Sequence, residues 1–213
     1  MKERDKKRLN SITAEFKRGF EFFEKLPKSV VIFGSARTSK KNKHYKRARE
    51  LAFKLAKRGF AIMTGAGSGI MEAGNRGAKE AGGISIGLNI DLPQFQDKNK
   101  YITHHIKFDH FYTRKVMFTK YSFATIVFPG GYGTLDELFE QLTVLQNKKI
   151  PARPIIIIGE HYYSGLLKWI KGILLKGHKI DASDARLFYA VEDVDEAVKI
   201  IEKEYKATRK FFI

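Results

Sequence analysis

The sequence predicts an α/β fold: a Rossmann-like, doubly wound parallel sheet flanked by helices, with one extra helix at the N-terminus. Five short segments are almost wholly apolar, as strands buried on both faces of a parallel sheet are. Amphipathic stretches of helical length separate these segments, so strand and helix alternate along the chain. The 213 residues, 43% of them hydrophobic, suit one domain with a buried core.

The first 26 residues predict the extra helix. Its apolar residues recur at three- and four-residue spacing, and Pro27 follows it. They are Leu9, Ile12, Phe16, Phe20 and Phe23. This stripe can pack on the chain's own sheet or contribute to a homodimer, and both alternatives stay open. We therefore expect an N-terminal helical arm, residues 1–27, followed by one Rossmann-type domain, residues 28–213.

The remaining elements follow from the same two patterns. The predicted strands are 30–33, 60–63, 84–88, 124–128 and 155–158. The predicted helices are 43–58, 69–81, 110–121, 133–147, 161–175 and 193–206. No internal repeat and no Pro- or Ser-rich linker interrupts this series, which supports a single domain.

The composition is strongly basic, since 40 Lys and Arg against 23 Asp and Glu give a formal net charge of +17. Such a surface attracts nucleic acid or small phosphorylated ligands. Residues 37–58 alone hold ten Lys and Arg and one acidic residue, a candidate nucleic-acid patch. Because no helix-turn-helix, RNP or zinc-finger pattern accompanies this segment, we favour a solvated helix face over a nucleic-acid partner.

Several classes of site are excluded by composition. With no cysteine, the chain has no disulfide, no Cys-ligated metal and no thiol nucleophile. The six histidines form no helical pair at metal-ligand spacing, so we expect no metal. No apolar run is long enough to span a membrane, and no signal-peptide core follows the N-terminus. We therefore expect a cytoplasmic protein without membrane contact.

Two glycine-rich turns open helices directly after predicted strands. Residues 64–72 read Thr-Gly-Ala-Gly-Ser-Gly-Ile-Met-Glu, and residues 129–137 read Pro-Gly-Gly-Tyr-Gly-Thr-Leu-Asp-Glu. Ligands of open parallel sheets bind at the carboxyl ends of the strands, where such turns can hold phosphate with backbone N–H groups. One isolated turn would favour a purely structural role, whereas two predict a nucleotide site. The first turn departs from the dinucleotide fingerprint at Ile70, and no P-loop sequence occurs.

Three segments, in this order, resemble the signatures of the LOG family. They are residues 64–73, the Arg-Lys-Val-Met run from Arg114 to Met117, and the Pro-Gly-Gly-x-Gly-Thr-x-x-Glu run at 129–137. The resemblance extends over roughly residues 29–200, and the Glu-Phe-Lys-Arg-Gly-Phe stretch at 15–20 resembles the longer bacterial branch of the family. The family usually has Gly and Pro where this chain has Ala66 and Ser68. A methyl group at Ala66 would block the approach of phosphate or ribose if this position requires a positive φ.

The resemblance implies a cofactor-free enzyme that hydrolyses the N-glycosidic bond of AMP or of a cytokinin-type riboside 5′-monophosphate. The products would be the free base and ribose 5-phosphate. The resemblance also implies a homodimer or a larger homo-oligomer. A non-catalytic nucleotide-binding or sensing protein of the same fold is the alternative. Many members are labelled possible lysine decarboxylases, but that chemistry needs a lysine that forms a Schiff base with a cofactor, and no lysine here is singled out for it.

Glu137 and Arg114 are the predicted catalytic residues. A carboxylate near the anomeric carbon can stabilise an oxocarbenium-like transition state and activate water, which suits Glu137. Arg114 is assigned by the resemblance of the Arg-Lys-Val-Met run to the family. The predicted binding residues are Ser35, Gly65, Gly67, Glu72, Lys115, Met117, Gly130, Gly131, Tyr132, Gly133 and Thr134. For Glu72 a structural role is equally favoured, and stabilisation of a helix dipole alone would also select the acidic pair at 136 and 137.

Overall fold

The computed structural model describes residues 1–91 and 98–209, and its centre is a seven-stranded sheet. The strands are β1 Ser29–Phe33, β2 Ala61–Thr64, β3 Ser85–Ile90, β4 His104–Phe108, β5 Ser122–Val127, β6 Ile155–Ile158 and β7 Tyr189–Val191. Their order across the sheet is β4-β3-β2-β1-β5-β6-β7, and every neighbouring pair is parallel. This is the doubly wound architecture that the apolar runs predict.

Helices cover both faces of the sheet. They are α1 Glu3–Phe23, α2 Lys43–Ala56, α3 Ile70–Glu80, α4 Phe111–Tyr121, α5 Tyr132–Gln146, α6 Glu160–Trp169 and α7 Val194–Arg209. A π-helical segment, Ile170–Leu175, continues α6, and a short 3₁₀ turn follows at Asp184–Arg186. None of the helices in the described ranges is long and apolar enough to cross a membrane.

All five apolar runs form strands, but two strands escape the sequence prediction. These are β4 and β7, the two outermost strands of the sheet. Their side chains are mostly half-buried or exposed, whereas those of β1, β2 and β6 are buried throughout. A search for continuous apolar runs finds only strands that are covered on both faces, so it misses edge strands. The predicted helix 161–175 is a combination of α6 and the π-helical segment.

The core has one layer on each side of the sheet. On one face, α2, α3 and α7 bury a large apolar cluster against alternate side chains of β1, β2, β5 and β6. On the other face, α1 and α4 cover the half of the sheet from β1 to β4, while α5 and α6 cover β5 and β6. The strand order reverses at β1, because β2 lies on one side of it and β5 on the other, and this reversal opens a crevice at the carboxyl ends of the strands.

The N-terminal helix packs on its own chain, which is one of the two alternatives left by the sequence. Its C-terminal half lies on α4, where the ring of Phe23 stacks on Tyr121 at 4.2 Å between centroids. Phe16 is partly buried against the same core cluster, whereas Leu9 and Phe20 are exposed. The helix ends at Phe23, slightly before the predicted boundary. A role in a homodimer stays a prediction.

The basic segment 37–58 is largely tied into the structure by ion pairs. Five of its cations contact acidic side chains outside the segment, mostly on α3 and α7. The pairs are Lys40–Glu72, Arg47–Glu192, Arg49–Glu80, Lys54–Asp195 and Arg58–Glu202. Each such surface pair stabilises the fold by no more than about 1 kcal/mol. Their presence nevertheless neutralises half of the candidate nucleic-acid patch.

The close packing of α2 on α3 depends on Gly77. A Cβ atom at this position would overlap the carbonyl oxygen of Arg49 and lie 2.9 Å from the backbone nitrogen of Phe53. Because backbone atoms cannot swing away as side chains do, we expect Gly77→Ala to lower the free energy of unfolding by roughly 2–3 kcal/mol. Chemical denaturation measures this change.

Gly165→Ala is the matched control, since Gly165 lies in α6 with no atom within 4 Å of its added Cβ. This exchange should leave stability unchanged or raise it by up to about 1 kcal/mol. Equal changes in the free energy of unfolding for the two exchanges would contradict the close packing of α2 on α3 at Gly77.

Candidate functional site

A cavity of about 820 Å³ opens at the point where the strand order reverses. Its wall consists of the loop after β1, the ends of β2 and β3, the first turns of α4, and the turn that leads from β5 into α5. This volume falls within the range of small-molecule sites, and the position is the one at which doubly wound sheets bind their ligands.

The turn between β5 and α5 forms one end of the cavity. Helix α5 begins at Tyr132, and the first backbone N–H groups of a helix have no acceptor in the preceding turn. Gly131, Tyr132 and Gly133, which carry such groups here, line the cavity. Gly130 is required here, because a Cβ atom on it would overlap the side-chain oxygen of Thr134. The hydroxyl of Tyr162 donates a hydrogen bond to the carbonyl of Gly130 at 2.9 Å. The turn is therefore a fixed set of donors suited to an anion.

The glycine turn after β2 has a different role. Gly69 has a φ of +61°, and a Cβ atom there would overlap the carbonyl oxygen of Ser35. That same carbonyl accepts a hydrogen bond from the N–H of Ile70, the first residue of α3. The N-terminus of α3 is thus occupied by the loop after β1. The sequence predicts that both glycine turns face one ligand, but of the glycines in this turn only Gly65 lines the cavity, and Gly67 does not.

Ala66 has the positive φ on which its predicted effect depended, at +71°. The residue is fully buried, and its Cβ lies beside Gly87 of β3, only 3.1 Å from the position that a Cβ on Gly87 would take. Ala66 is absent from the cavity wall. The methyl group therefore points into the sheet and leaves the space for a ligand open.

Arg114 lies in the wall of the cavity with its guanidinium held by backbone carbonyls. Its Nε donates to the carbonyl of Leu88 at 2.8 Å, and a terminal nitrogen donates to the carbonyl of Gly65 at 3.2 Å. The ring of Phe118 lies 5.0 Å from the guanidinium carbon. Burial lowers the pKa of Arg114 to about 10, while the charge of Glu137 opposes this shift. Arg114 remains a cation at neutral pH and forms no ion pair within residues 1–91 and 98–209.

Glu137 lies in the same wall and is 7% exposed. Its Oε2 atom has no hydrogen-bond partner in the part of the chain that the structure describes. Burial raises the pKa of Glu137 to about 7, although the charges of Lys115 and Arg114 act in the opposite direction. A carboxyl group that is buried, unpartnered and titrates near neutral pH in a cleft is a typical functional group.

Three further predicted binding residues lie outside the cavity wall. Lys115 pairs with Asp136 at 2.9 Å and with Glu140 at 2.7 Å. Met117 is fully buried, and its side chain lies against Gly19 of α1. Glu72 accepts a hydrogen bond from Tyr45 and pairs with Lys40, both at 2.8 Å. The observed contacts of Glu72 therefore agree with the structural role that the sequence left open for it.

The sequence predicts that Met117 binds the ligand together with Arg114, but its side chain lies against α1 and outside the cavity wall. Successive residues of a helix are about 100° apart, so a residue three positions on is displaced by about 60°. On α4, this difference in angle directs Arg114 to the cavity and Met117 to the contact with α1. Lys115, one position after Arg114, is turned toward α5 for the same reason.

The structure adds wall residues that sequence reasoning did not select. They are Phe33, Gly34, Ala36, Arg37, Thr38, Met71, Asn89, Ile90, Phe111, Phe118, Pro129, Asp136 and Tyr162. Asn89 carried a signal, because it is a polar residue directly after an apolar run that ends at 88. Tyr162 carried none, since its hydrogen bond to the turn before α5 depends on the packing of α6.

The chain is similar to proteins of one family and to a solved structure of the same fold. Residues 71–201 match the family model described as possible lysine decarboxylase. A probable cytokinin riboside 5′-monophosphate phosphoribohydrolase of Arabidopsis thaliana, LOG6, is 30% identical over 153 residues, 70% of this chain and 76% of that protein. A cytokinin riboside 5′-monophosphate phosphoribohydrolase of Mycobacterium tuberculosis is 30% identical over 160 residues, 71% of this chain and 82% of that protein. The molybdenum cofactor carrier protein of Chlamydomonas reinhardtii has a TM-score of 0.62 at 22% identity, over 83% of this chain and 98% of that one.

Burial of Glu137 should reduce stability in a pH-dependent way. Because its pKa is raised in the folded state, protonated Glu137 contributes stability fully below about pH 4.5. This contribution is lost as the pH rises through about 7 and the buried carboxyl group ionises. We therefore expect Glu137→Gln, which removes the charge, to be more stable than the unaltered protein by about 3 kcal/mol at pH 8, with little difference at pH 4. Urea unfolding at the two pH values measures this. The exposed control Glu21→Gln should show no such trend, and a pH-independent effect of Glu137→Gln would contradict the burial of its charge.

Proposed function

The chain belongs to the LOG family, and from this membership we propose that it hydrolyses the N-glycosidic bond of a nucleoside 5′-monophosphate, either AMP or a cytokinin-type riboside monophosphate. The free base and ribose 5-phosphate are the products. One observation carries the proposal: the buried carboxyl group of Glu137, whose Oε2 atom has no hydrogen-bond partner among the described residues, shares a cavity with the buried cation of Arg114. The cavity ends at the open N-terminus of α5, which suits the phosphate of such a substrate.

The phosphate lies, in this proposal, against the backbone N–H groups of Gly131, Tyr132 and Gly133. The hydroxyl of Thr134 and the loop that contains Ser35 complete this end of the site. Added Cβ atoms at Gly131 and Gly133 would meet no atom within 4 Å, so the approach to this backbone is open. The helix dipole of α5 adds partial positive charge at the same point.

Glu137 supplies the base in the proposed reaction. Its ionised carboxylate takes a proton from water as the water oxygen bonds to the anomeric carbon. The bond from that carbon to the base nitrogen breaks, and the nitrogen keeps the electron pair. It takes up one proton from solvent, while Glu137 releases to solvent the proton that it took from water, so the protons balance. The carboxylate also stabilises the positive charge that develops on the ribose ring. A pKa of about 7 places half of the Glu137 population in the ionised form at neutral pH.

Arg114 supplies a fixed positive charge in the proposed reaction. The carbonyls of Leu88 and Gly65 orient its guanidinium without neutralising it. Its charge is therefore available to bind the substrate and to stabilise negative charge on the leaving base. Because these hydrogen bonds exist before a ligand binds, the site spends no free energy on arranging the cation.

AMP tests the activity directly. We expect purified protein incubated with AMP to release adenine and ribose 5-phosphate, measured by chromatography. Adenosine should react at least about 100-fold more slowly in kcat/KM, because it lacks the phosphate that the α5 turn would bind. Equal rates for AMP and adenosine would contradict the proposed phosphate site. Binding of AMP without release of adenine would replace the enzyme by the binding protein considered as the alternative.

Glu137→Gln tests the proposed base. We expect a loss of about 10²- to 10⁴-fold in kcat with AMP binding retained, because an amide cannot take the proton from water. In the unaltered protein kcat/KM should rise with pH and level off above about 7, as Glu137 ionises. Glu160→Gln is the matched control: this exposed glutamate stands in the first turn of α6 outside the cavity wall and should leave the rate unchanged. Full activity of Glu137→Gln would remove Glu137 from the mechanism.

A further inference from the structure

The N-terminal helix contains a buried carboxylate that the proposed reaction does not use. Glu15, on α1, is 2% exposed. Its carboxylate accepts hydrogen bonds from the backbone N–H of Asp109 at 2.9 Å and from the hydroxyl of Thr113 at 2.5 Å. Nδ1 of His110 lies 3.1 Å away. Burial raises the pKa of Glu15, but these hydrogen bonds outweigh it and hold the pKa below its usual value.

All three partners of Glu15 belong to the N-terminus of α4. His110 occupies the N-cap position, and its own side chain makes no capping hydrogen bond. Glu15 therefore ties the residues around the start of α4 to another helix and places a negative charge at the positive end of the helix dipole. Arg114 is the next residue after Thr113, so the anchored turn is the one that presents the guanidinium to the cavity.

A second contact lies one turn further along both helices. Gly19, four residues after Glu15, packs on Met117, four residues after Thr113. A Cβ atom at Gly19 would lie 2.6 Å from the terminal carbon of Met117. Two contacts at this spacing fix the rotation of α4 about its own axis as well as its position along α1. The stretch from 15 to 20, which resembles the longer bacterial branch of the family, thus packs directly on the helix that carries the Arg-Lys-Val-Met run.

Hydrophobic patterning alone defines the rotation of α4 poorly. Phe111 and Val116 are exposed, while Met117 and Phe118 are buried, so apolar side chains surround the helix. Its far end is also held from outside, because the side chain of Arg153 donates to the carbonyls of Thr119 and Ser122 at 2.6 and 2.7 Å. Polar contacts at the two ends therefore define where α4 lies.

We propose that Glu15 is a positioning residue for the reaction at this site: by anchoring the first turn of α4, it sets the depth and the direction at which Arg114 enters the cavity. The inference rests on the proposed function. In this proposal the N-terminal helix contributes to catalysis through its contact with α4. A displacement of about 1 Å in a catalytic group can cost about 100-fold in rate, so a loosened α4 should be visible in catalysis.

Glu15→Gln is the direct test. The amide keeps one acceptor oxygen but loses the charge and the second acceptor, so α4 keeps a weakened anchor. We expect kcat for AMP to fall about 10- to 100-fold while KM changes by less than about threefold. Glu21→Gln, the same exchange at an exposed position of α1, should leave both constants unchanged. A kcat of Glu15→Gln within twofold of the unaltered protein would overturn the inference.

A double-mutant cycle with Arg114→Lys separates positioning from a general loss of structure. If Glu15 acts through Arg114, Glu15→Gln should reduce the residual rate of the Arg114→Lys protein by less than about twofold. Multiplicative losses, with Glu15→Gln costing as much in this background as in the unaltered protein, would contradict a route through Arg114.

The Nε–H resonance of Arg114 provides a readout that does not depend on activity. In nitrogen-15 spectra this proton, bonded to the carbonyl of Leu88, should exchange slowly, and Arg114→Lys identifies the signal. We expect a shifted signal and at least tenfold faster exchange in Glu15→Gln, with no change in Glu21→Gln. An unmoved signal in folded Glu15→Gln refutes positioning, whereas failure of the unaltered protein to hydrolyse nucleotides refutes only the proposed function. If Glu15→Gln does not fold, Thr113→Val removes one donor with little change of shape and is held to the same criteria.

Discussion

The reversal of strand order at β1 is the constraint on which the rest of the structure depends. The chain builds outward from β1 to β4 and must then return across the sheet to place β5 on the other side of β1. Helix α4 makes this return, so it passes beside the crevice that the reversal creates. The cavity, the cation of Arg114 at its wall and the helix that begins after β5 are all consequences of that single crossing.

The site keeps two buried charged groups apart that could have neutralised each other. Arg114 is satisfied by neutral carbonyls, and Glu137 has an unpartnered oxygen. An ion pair between them would lower the cost of burial but would remove both charges from chemistry. The extensive core on both faces of the sheet offsets the free energy that burying Arg114 and Glu137 without an ion pair costs. Such local cost at a cleft is typical of functional sites, which trade stability for reactivity.

Much of the fold, and the presence of Arg114 and Glu137 at one cleft, could be predicted from the sequence, because both depend on local patterns. Strands buried on both faces are continuous apolar runs, and the turn before α5 combines glycines with Thr134 and Glu137 at fixed spacing. Edge strands β4 and β7 lack that pattern. The assignments of Lys115 and Met117 to the cavity fail because one helix can present neighbouring residues to three different environments. Only packing shows that α3's first turn is occupied by Ser35.

The fit of α1 on α4 also has a consequence for biosynthesis. Glu15 and Thr113 are 98 positions apart, so α1 is made long before its partner exists. At about 5–20 residues per second, the ribosome needs on the order of 5–20 s to add that length of chain. Through this interval Phe23 lacks Tyr121, the ring on which it stacks in the folded chain. The first helix to be synthesised therefore completes its packing only after α4 has been made, and nascent chains that stall before α4 leave part of its apolar face exposed.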